Sequence, residues 1–165
     1  MKQKATEQPQ PTPPPFARGF WELVAYQRAR ALQRRVFELS KKFPREEMYS
    51  LTDQTRRAAR SIGAQIAEAW GKRDYEKHFV SKLSDALGEC NETQHWIISA
   101  MDDGYLTPEE GKTVWHLCLE IGRILASMTE RSAEFCQNST NPVLHESSPD
   151  FFCSAPSPFP EETTY

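Results

Sequence analysis

Proline is nearly absent from the middle of this chain. Ten of its twelve prolines lie before residue 16 or after residue 141, so only Pro44 and Pro108 interrupt residues 16–136. A proline ring removes a backbone donor and collides with the preceding helical turn, so a stretch this poor in proline favours long helices. No run of alternating apolar and polar residues competes as a strand.

Sequence signatures of catalysis are also missing. The seven glycines are scattered singly, which excludes a phosphate-cradling loop and a dinucleotide-binding fingerprint. Glu92 and His95 make one Glu-x-x-His pair, but a di-metal bundle needs two, and neither His78 nor His116 follows a glutamate at that spacing. The sequence therefore predicts a protein that is not an enzyme, with no cofactor, no metal site and no small-molecule substrate.

Long apolar runs and a secretory signal are absent as well. No segment approaches the roughly 20 apolar residues that span a bilayer, and Met1 is followed by a polar, proline-rich stretch. The four cysteines form no CxxC pair, which is typical of reduced thiols. We therefore expect a cytoplasmic protein with no membrane partner.

Apolar side chains recur at three- and four-residue steps in four segments, which predicts four amphipathic helices. The first, over about residues 20–42, turns inward Trp21, Val24, Leu32, Val36, Leu39 and Phe43. The second, over about 52–70, turns inward Leu51, Ala58, Ala59, Ile62, Ile66 and Ala69. The third, ending near residue 103, turns inward Phe79, Leu83, Leu87, Cys90, Ile97 and Met101. The fourth turns inward Val114, Leu117, Cys118, Ile121, Leu125, Met128 and Phe135.

Capping and breaking residues separate these segments. Pro44 ends the first helix, Gly71 is expected to cap the second, and Asp74 to cap the start of the third. Gly104 ends the third helix. Residues 107–110 read TPEE, which combines an N-cap threonine, a first-turn proline and a capping-box glutamate.

Short connections between long helices predict an all-α, antiparallel up-down-up-down four-helix bundle over residues 16–136. We expect disorder in a proline-rich tail, residues 1–15, and in a tail rich in Ser, Pro and Thr, residues 137–165. Four aromatic residues in the second tail could dock a partner protein: Phe151, Phe152, Phe159 and Tyr165.

Charge is divided along the sequence. Residues 16–82 carry fifteen Lys and Arg against eight Asp and Glu, a net charge of +7, whereas residues 83–136 carry three against ten, a net charge of −7. Two interpretations remain open. Basic and acidic helices could complement each other, within the fold or between subunits. Alternatively, the basic half could present a surface to nucleic acid.

Arginine is the residue type best suited to phosphate, because its planar fork of donors matches phosphate oxygens. The candidates for nucleic-acid binding are Arg28, Arg34, Arg35, Arg56, Arg57 and Arg60. The competing interpretation pairs them with acids of neighbouring helices, such as Glu89, Glu92 and Asp102. Three aromatic residues could stack on bases beside these cations: Tyr26, Trp70 and Tyr75.

Several short motifs, taken in order, carry a family resemblance. They are KKFPREE at 41–47, SLTDQTRRAA at 50–59, SIGAQIAEA at 61–69, KR at 72–73, ALGECNET at 86–93 and GYLT at 104–107. From about Val24 to Arg131 the chain resembles the bacterial four helix bundle proteins, also called 23S rRNA-intervening-sequence proteins. It departs from the family's usual S-I-P-A-N-I-A-E-G in the second helix, where it has Gly63, Gln65 and Ala69.

The resemblance carries expectations about assembly and partners. The family is similar to the accessory variability protein of diversity-generating retroelements, which forms a homopentameric barrel and binds a reverse transcriptase and nucleic acid. It therefore implies a ring-forming, non-catalytic adaptor, with structured RNA or a nucleic-acid enzyme as its partner. The other functional class is a structural or protein-interaction bundle whose charge asymmetry serves only subunit assembly.

Overall fold

The computed structural model describes residues 17–136, and the tails predicted for residues 1–15 and 137–165 lie outside them. Four long helices and one short one account for most of this part of the chain: α1 Val24–Ser40, α2 Asp53–Gly71, α3 Glu76–Asp102, α4 Pro108–Glu130 and α5 Ser132–Cys136. A 3₁₀ turn, Phe20–Glu22, precedes α1, and a 3₁₀ turn and a π-helical turn, Arg45–Glu47 and Met48–Thr52, lead into α2.

The four long helices form an antiparallel bundle, which confirms the predicted fold class. Each packs against the next along the chain, and α4 returns to pack against α1. The core side chains come from all four helices, and the largest fully buried ones include Leu32, Ile62, Ile66, Phe79, Leu83, Ile97, Ile121 and Leu125. No strand occurs in residues 17–136.

The start of α1 differs from the prediction of one helix beginning near Phe20. Leu23 is extended, with ψ 130°, so the chain bends between the 3₁₀ turn and α1. Val24, expected inside, is 56% exposed, and Ala25 and Ala29 are buried on the inner face instead. Small side chains there let α2 approach closely, and Gly63 of α2 lies beside Ala29.

Two of the predicted caps are wrong. Asp74 is not the N-cap of α3; that position belongs to Tyr75, which makes no side-chain capping bond. Gly71 is the last residue of α2, and Gly104 is the only residue with positive φ between residues 17 and 136. The capping box is confirmed, because the Thr107 hydroxyl accepts from the Glu110 amide and the Glu110 carboxylate accepts from the Thr107 amide.

Some apolar residues predicted for the core lie at its margin. Leu87 is 40% exposed because Ala86 occupies the inward position on α3. Trp21, Met101, Leu117 and Phe135 are half-buried. Phe135 belongs to the separate helix α5, where its ring stacks on that of Phe79 with centroids 5.6 Å apart.

Candidate nucleic-acid interface

Two of the six candidate arginines lie at seams between helices and pair with acids. The Nε of Arg28 on α1 lies 2.7 Å from the Glu120 carboxylate on α4, and Arg57 on α2 lies 3.7 Å from Glu92 on α3. Lys42, just after α1, pairs with Glu110 in the same way. Exposed pairs like these stabilise a fold by at most about 1 kcal/mol each, but they occupy the cations that form them.

Arg56 lies on the side of α2 that faces α1. Its Nε donates to the Ser40 hydroxyl across 2.7 Å, and its guanidinium lies 4.9 Å from the centre of the Phe37 ring. No carboxylate of residues 17–136 pairs with it. Because its partner is a neutral hydroxyl, no acid balances the positive charge of Arg56, and its two contacts hold the half-buried guanidinium at a defined position.

Arg60 and Arg34 extend this basic surface. Arg60 is one helical turn beyond Arg56 on the same face of α2, and Arg34 lies on the exposed side of α1. Arg30, one turn before Arg34, also belongs here, although sequence reasoning missed it. We call these four residues, Arg30, Arg34, Arg56 and Arg60, the α1–α2 basic face. None of them has an acidic partner in the described part of the chain.

Arg35 does not join this face. It is seven residues from both Arg28 and Lys42, so all three follow the edge of α1 that faces α4. Arg35 is half-buried, and its Nε is buried without a hydrogen-bond partner among residues 17–136. The structure thus separates the six candidates into seam residues, Arg28, Arg35 and Arg57, and surface residues, Arg34, Arg56 and Arg60.

The aromatic residues expected to stack on bases are largely engaged elsewhere. Tyr26 packs edge-on against Phe20 at 4.9 Å, and Arg73 lies over the Trp70 ring at 4.3 Å. Tyr75 is 69% exposed but pairs with His78 at the α2–α3 turn. Phe37 is 39% exposed and borders the basic face, where its ring contacts Arg56. Because Phe37 lies outside the apolar stripe of α1, its exposure could have been predicted from the sequence.

The seam between α2 and α3 is held by a small polar cluster. Lys82 of α3 lies 2.8 Å from Glu68 and 3.1 Å from both Asp85 and Gln65. Its hydrogen bond lowers the pKa of the Glu68 carboxyl. Gln65 accepts a hydrogen bond from Lys82 and thus helps to join the two helices.

Neither metal binding nor membrane insertion is indicated within residues 17–136. These residues contain no group of three or more His, Cys, Asp or Glu side chains placed to hold a metal ion. None of the helices over the same range is long and apolar enough to cross a bilayer.

The fold and its surface define a small antiparallel four-helix bundle with charged seams and one arginine-rich face. Residues 21–127 match the model of the 23S rRNA-intervening sequence protein family, and the chain belongs to that family. It is also similar to a crystal structure from Bacteroides thetaiotaomicron, described as a protein with unknown function from the S23 ribosomal protein family. The two are 29% identical with a TM-score of 0.59, over 65% of this chain and 96% of that chain. No curated protein matches the chain.

Proposed function

We propose that this protein is a non-catalytic, oligomeric adaptor that binds structured RNA through the α1–α2 basic face. The observation that carries the proposal is the position of Arg34, Arg56 and Arg60. Arg34 and Arg60 are exposed, Arg56 is half-buried between α1 and α2, and none of the three has an acidic partner in residues 17–136. Membership of a family named for an intervening sequence of 23S rRNA supports RNA as the nucleic acid.

Counterion release is the physical basis for binding at such a face. Each cation that neutralises a phosphate releases a condensed counterion, so affinity rises with the number of contacts and falls steeply with salt. Arg56 is suited to this role because Ser40 and Phe37 hold its guanidinium in place. Less side-chain entropy is then lost when phosphate binds.

The competing function is a protein-interaction bundle whose opposite charges serve assembly alone. Its support is that Arg28 and Arg57 pair with acids of the other two helices, which uses part of the charge contrast inside one chain. The same pairing leaves the four arginines of the α1–α2 basic face without an acid to balance their charge in residues 17–136. That residual, uncompensated charge favours the RNA adaptor.

Binding of the full chain to a structured RNA at several salt concentrations tests the proposal. The double variant Arg56→Glu/Arg60→Glu should bind far more weakly, and its plot of log affinity against log salt should be shallower by about 2. Loss of affinity with an unchanged salt slope, or no loss at all, would contradict the proposed contacts.

A matched control exists on the opposite helix pair. Lys77 and Lys112 are exposed on α3 and α4 and make no ion pair in the described residues, so Lys77→Glu/Lys112→Glu gives the same change in net charge. This variant should keep nearly all of its RNA affinity. Equal losses in both double variants would indicate a general charge effect and no defined face.

We further propose that the protein assembles into a homopentamer, as the resemblance to the accessory variability protein implies. In a ring each interface is heterologous, with a different patch on either side. Light scattering of the full chain should give the mass of five subunits at micromolar concentration. A monomeric mass in both low and high salt would remove the ring. Arg56→Glu/Arg60→Glu should leave the mass unchanged, because these arginines are assigned to RNA.

A further inference from the structure

The outer surface between α3 and α4 carries a groove with a volume of about 270 Å³. Its walls include Leu87, Asn91 and Gln94 from α3 and Leu119, Gly122 and Arg123 from α4. Leu87 and Leu119 are 40% and 41% exposed, which is high for large apolar side chains. We call these six residues the α3–α4 groove.

The groove carries a single kind of charge. Its lining contains no Asp or Glu, and Arg123 makes no ion pair with any of residues 17–136. The nearby acids of α3 face the other way, since Asp85 and Glu92 pair with Lys82 and Arg57 along the α2–α3 seam. A fitting occupant is therefore an apolar segment with a negative charge beside it.

We propose that the groove binds residues 150–152 of this same chain, with Phe151 and Phe152 between Leu87 and Leu119, and Asp150 paired with Arg123. The segment reads Asp-Phe-Phe, so it supplies the acid and the apolar surface together. Residues 137–165 contain four acids and no Lys or Arg, so their overall charge also suits Arg123. Each Phe ring can bury roughly 150–250 Å².

The length of the connecting chain fits this placement. Phe135 stacks on Phe79, so the chain leaves the bundle near the start of α3. Leu87 is eight residues along α3 from Phe79, about 12 Å at 1.5 Å per residue, and Gln94 is about 22 Å away. Thirteen residues, 137–149, lie between Cys136 and Asp150, and a flexible chain of this length has a root-mean-square span of about 20 Å. The local concentration of the segment is then of millimolar order.

A second copy of the bundle fits the groove less well. In a symmetric contact between two grooves, Arg123 would find no acid across the contact, because the lining contains none. Contact of the groove with a different patch of a neighbouring bundle, as in a ring, would keep residues 150–152 out of it, and the spin-label experiment below would then show no relaxation at the groove. The first sixteen residues also fit less well, since they contain two lysines and one glutamate and have Phe16 as their only aromatic residue.

Cys153, directly after Phe152, provides a probe at the right position. Cys90 and Cys118 are buried, so in the full-length variant Cys136→Ser a thiol-reactive spin label attaches to Cys153. We expect strong relaxation of the backbone amides of Asn91 and Gly122, and none at Arg34 or Arg60 on the opposite surface. Relaxation spread evenly over the bundle, or absent, would overturn the proposal.

Substitutions test the two halves of the contact. Phe151→Ser/Phe152→Ser should abolish the relaxation, whereas Phe159→Ser/Tyr165→Ser, which also removes two aromatic rings, should preserve it. Arg123→Glu should weaken it several-fold, and Arg123→Glu/Asp150→Arg should restore it. An unaffected Arg123→Glu variant would contradict the ion pair.

A mixed sample distinguishes docking within one chain from docking between chains. Protein that carries the spin label but no ¹⁵N is mixed with protein that carries ¹⁵N but no spin label. The earlier sample, in which each chain carries both labels, is the doubly labelled chain. Relaxation of the ¹⁵N chains at Asn91 and Gly122 would show that the segment binds a neighbouring copy, which overturns the proposal as stated. No relaxation in this sample, combined with strong relaxation in the doubly labelled chain, supports it.

Discussion

The Nε group of Arg56 on α2 donates a hydrogen bond to the hydroxyl of Ser40 on α1, across 2.7 Å. Ser40 is 2% exposed and donates in turn to the carbonyl of Phe37, 3.0 Å away. One hydroxyl thus ties the end of α1 to the basic face and fixes the position of a proposed RNA-binding cation.

We expect Ser40→Ala to lower the free energy of unfolding by about 1.5–3 kcal/mol, the range for a hydrogen bond with a charged partner. It should also reduce RNA affinity, because Arg56 would no longer be held in place. Urea unfolding and RNA titration measure the two effects. Ser99→Ala is the control, since within residues 17–136 the Ser99 hydroxyl donates only to the His95 carbonyl of its own helix. Equal destabilisation by both changes would contradict the role given to Ser40.

Replacement of Ile62 by Asp should unfold the bundle. Ile62 is fully buried, and a carboxylate there would have neither water nor a partner. We expect a loss of more than about 4 kcal/mol, visible by circular dichroism as loss of cooperative melting. Ala64→Asp, two residues along α2 on its exposed side, should melt like the parent. A stable Ile62→Asp variant would contradict the core assignment.

Gly63→Ala should stabilise the protein by about 0.5–1 kcal/mol, because glycine in mid-helix loses more backbone entropy on folding than alanine does. The added methyl group would meet the Tyr26 ring at 3.6 Å and Ala29 at 3.9 Å, which are ordinary contacts. Gly111→Ala should instead bring no gain, since its methyl group would overlap the sulfur of Met101. The melting temperatures of both variants test these two predictions. A Gly63→Ala variant less stable than the parent would show that α1 and α2 pack more tightly than they do in the structure.

The capping box predicts sensitivity to acid. The hydrogen bond from Lys42, followed by that from the Thr107 amide, holds the pKa of the Glu110 carboxyl below its usual range. A group whose pKa is lowered on folding contributes stability above its unfolded pKa, roughly 4.3 for Glu, and loses it as pH falls through the folded value. Stability below about pH 5 should therefore fall less in Glu110→Gln than in the parent.

Denaturant unfolding between pH 3 and 7 measures this difference. Glu109→Gln is the control, because it makes the same change one residue earlier, where no side-chain hydrogen bond or ion pair with residues 17–136 is present. It should leave the acid sensitivity of the parent intact. A Glu110→Gln variant with an unchanged pH profile would show that the capping carboxylate contributes no pH dependence.

The sequence was enough to predict which residues lie at the centre of each helix's apolar face. It was not enough for residues at the edge of that face. A period of 3.6 places Leu83, Ala86 and Leu87 near one another on α3, so Leu87 was expected inside. Ala86 is buried and Leu87 is at the surface. The neighbouring helices pack so closely at this point that only a methyl group fits between them. The exposed Leu87 then forms part of the wall of the α3–α4 groove.

The sequence by itself determined the four-helix bundle and its family. Apolar spacing, two prolines and the Thr107–Glu110 capping box act within a few residues of each other, so local physics was enough to predict them. Only the tertiary structure decided which arginines remain on the surface. The helical period shows that Arg57 and Arg60 lie outside the apolar stripe of α2. It does not show that Arg57 meets Glu92, because that contact depends on how α3 packs along α2. That relationship joins residues far apart in sequence, and local spacing carries no information about it.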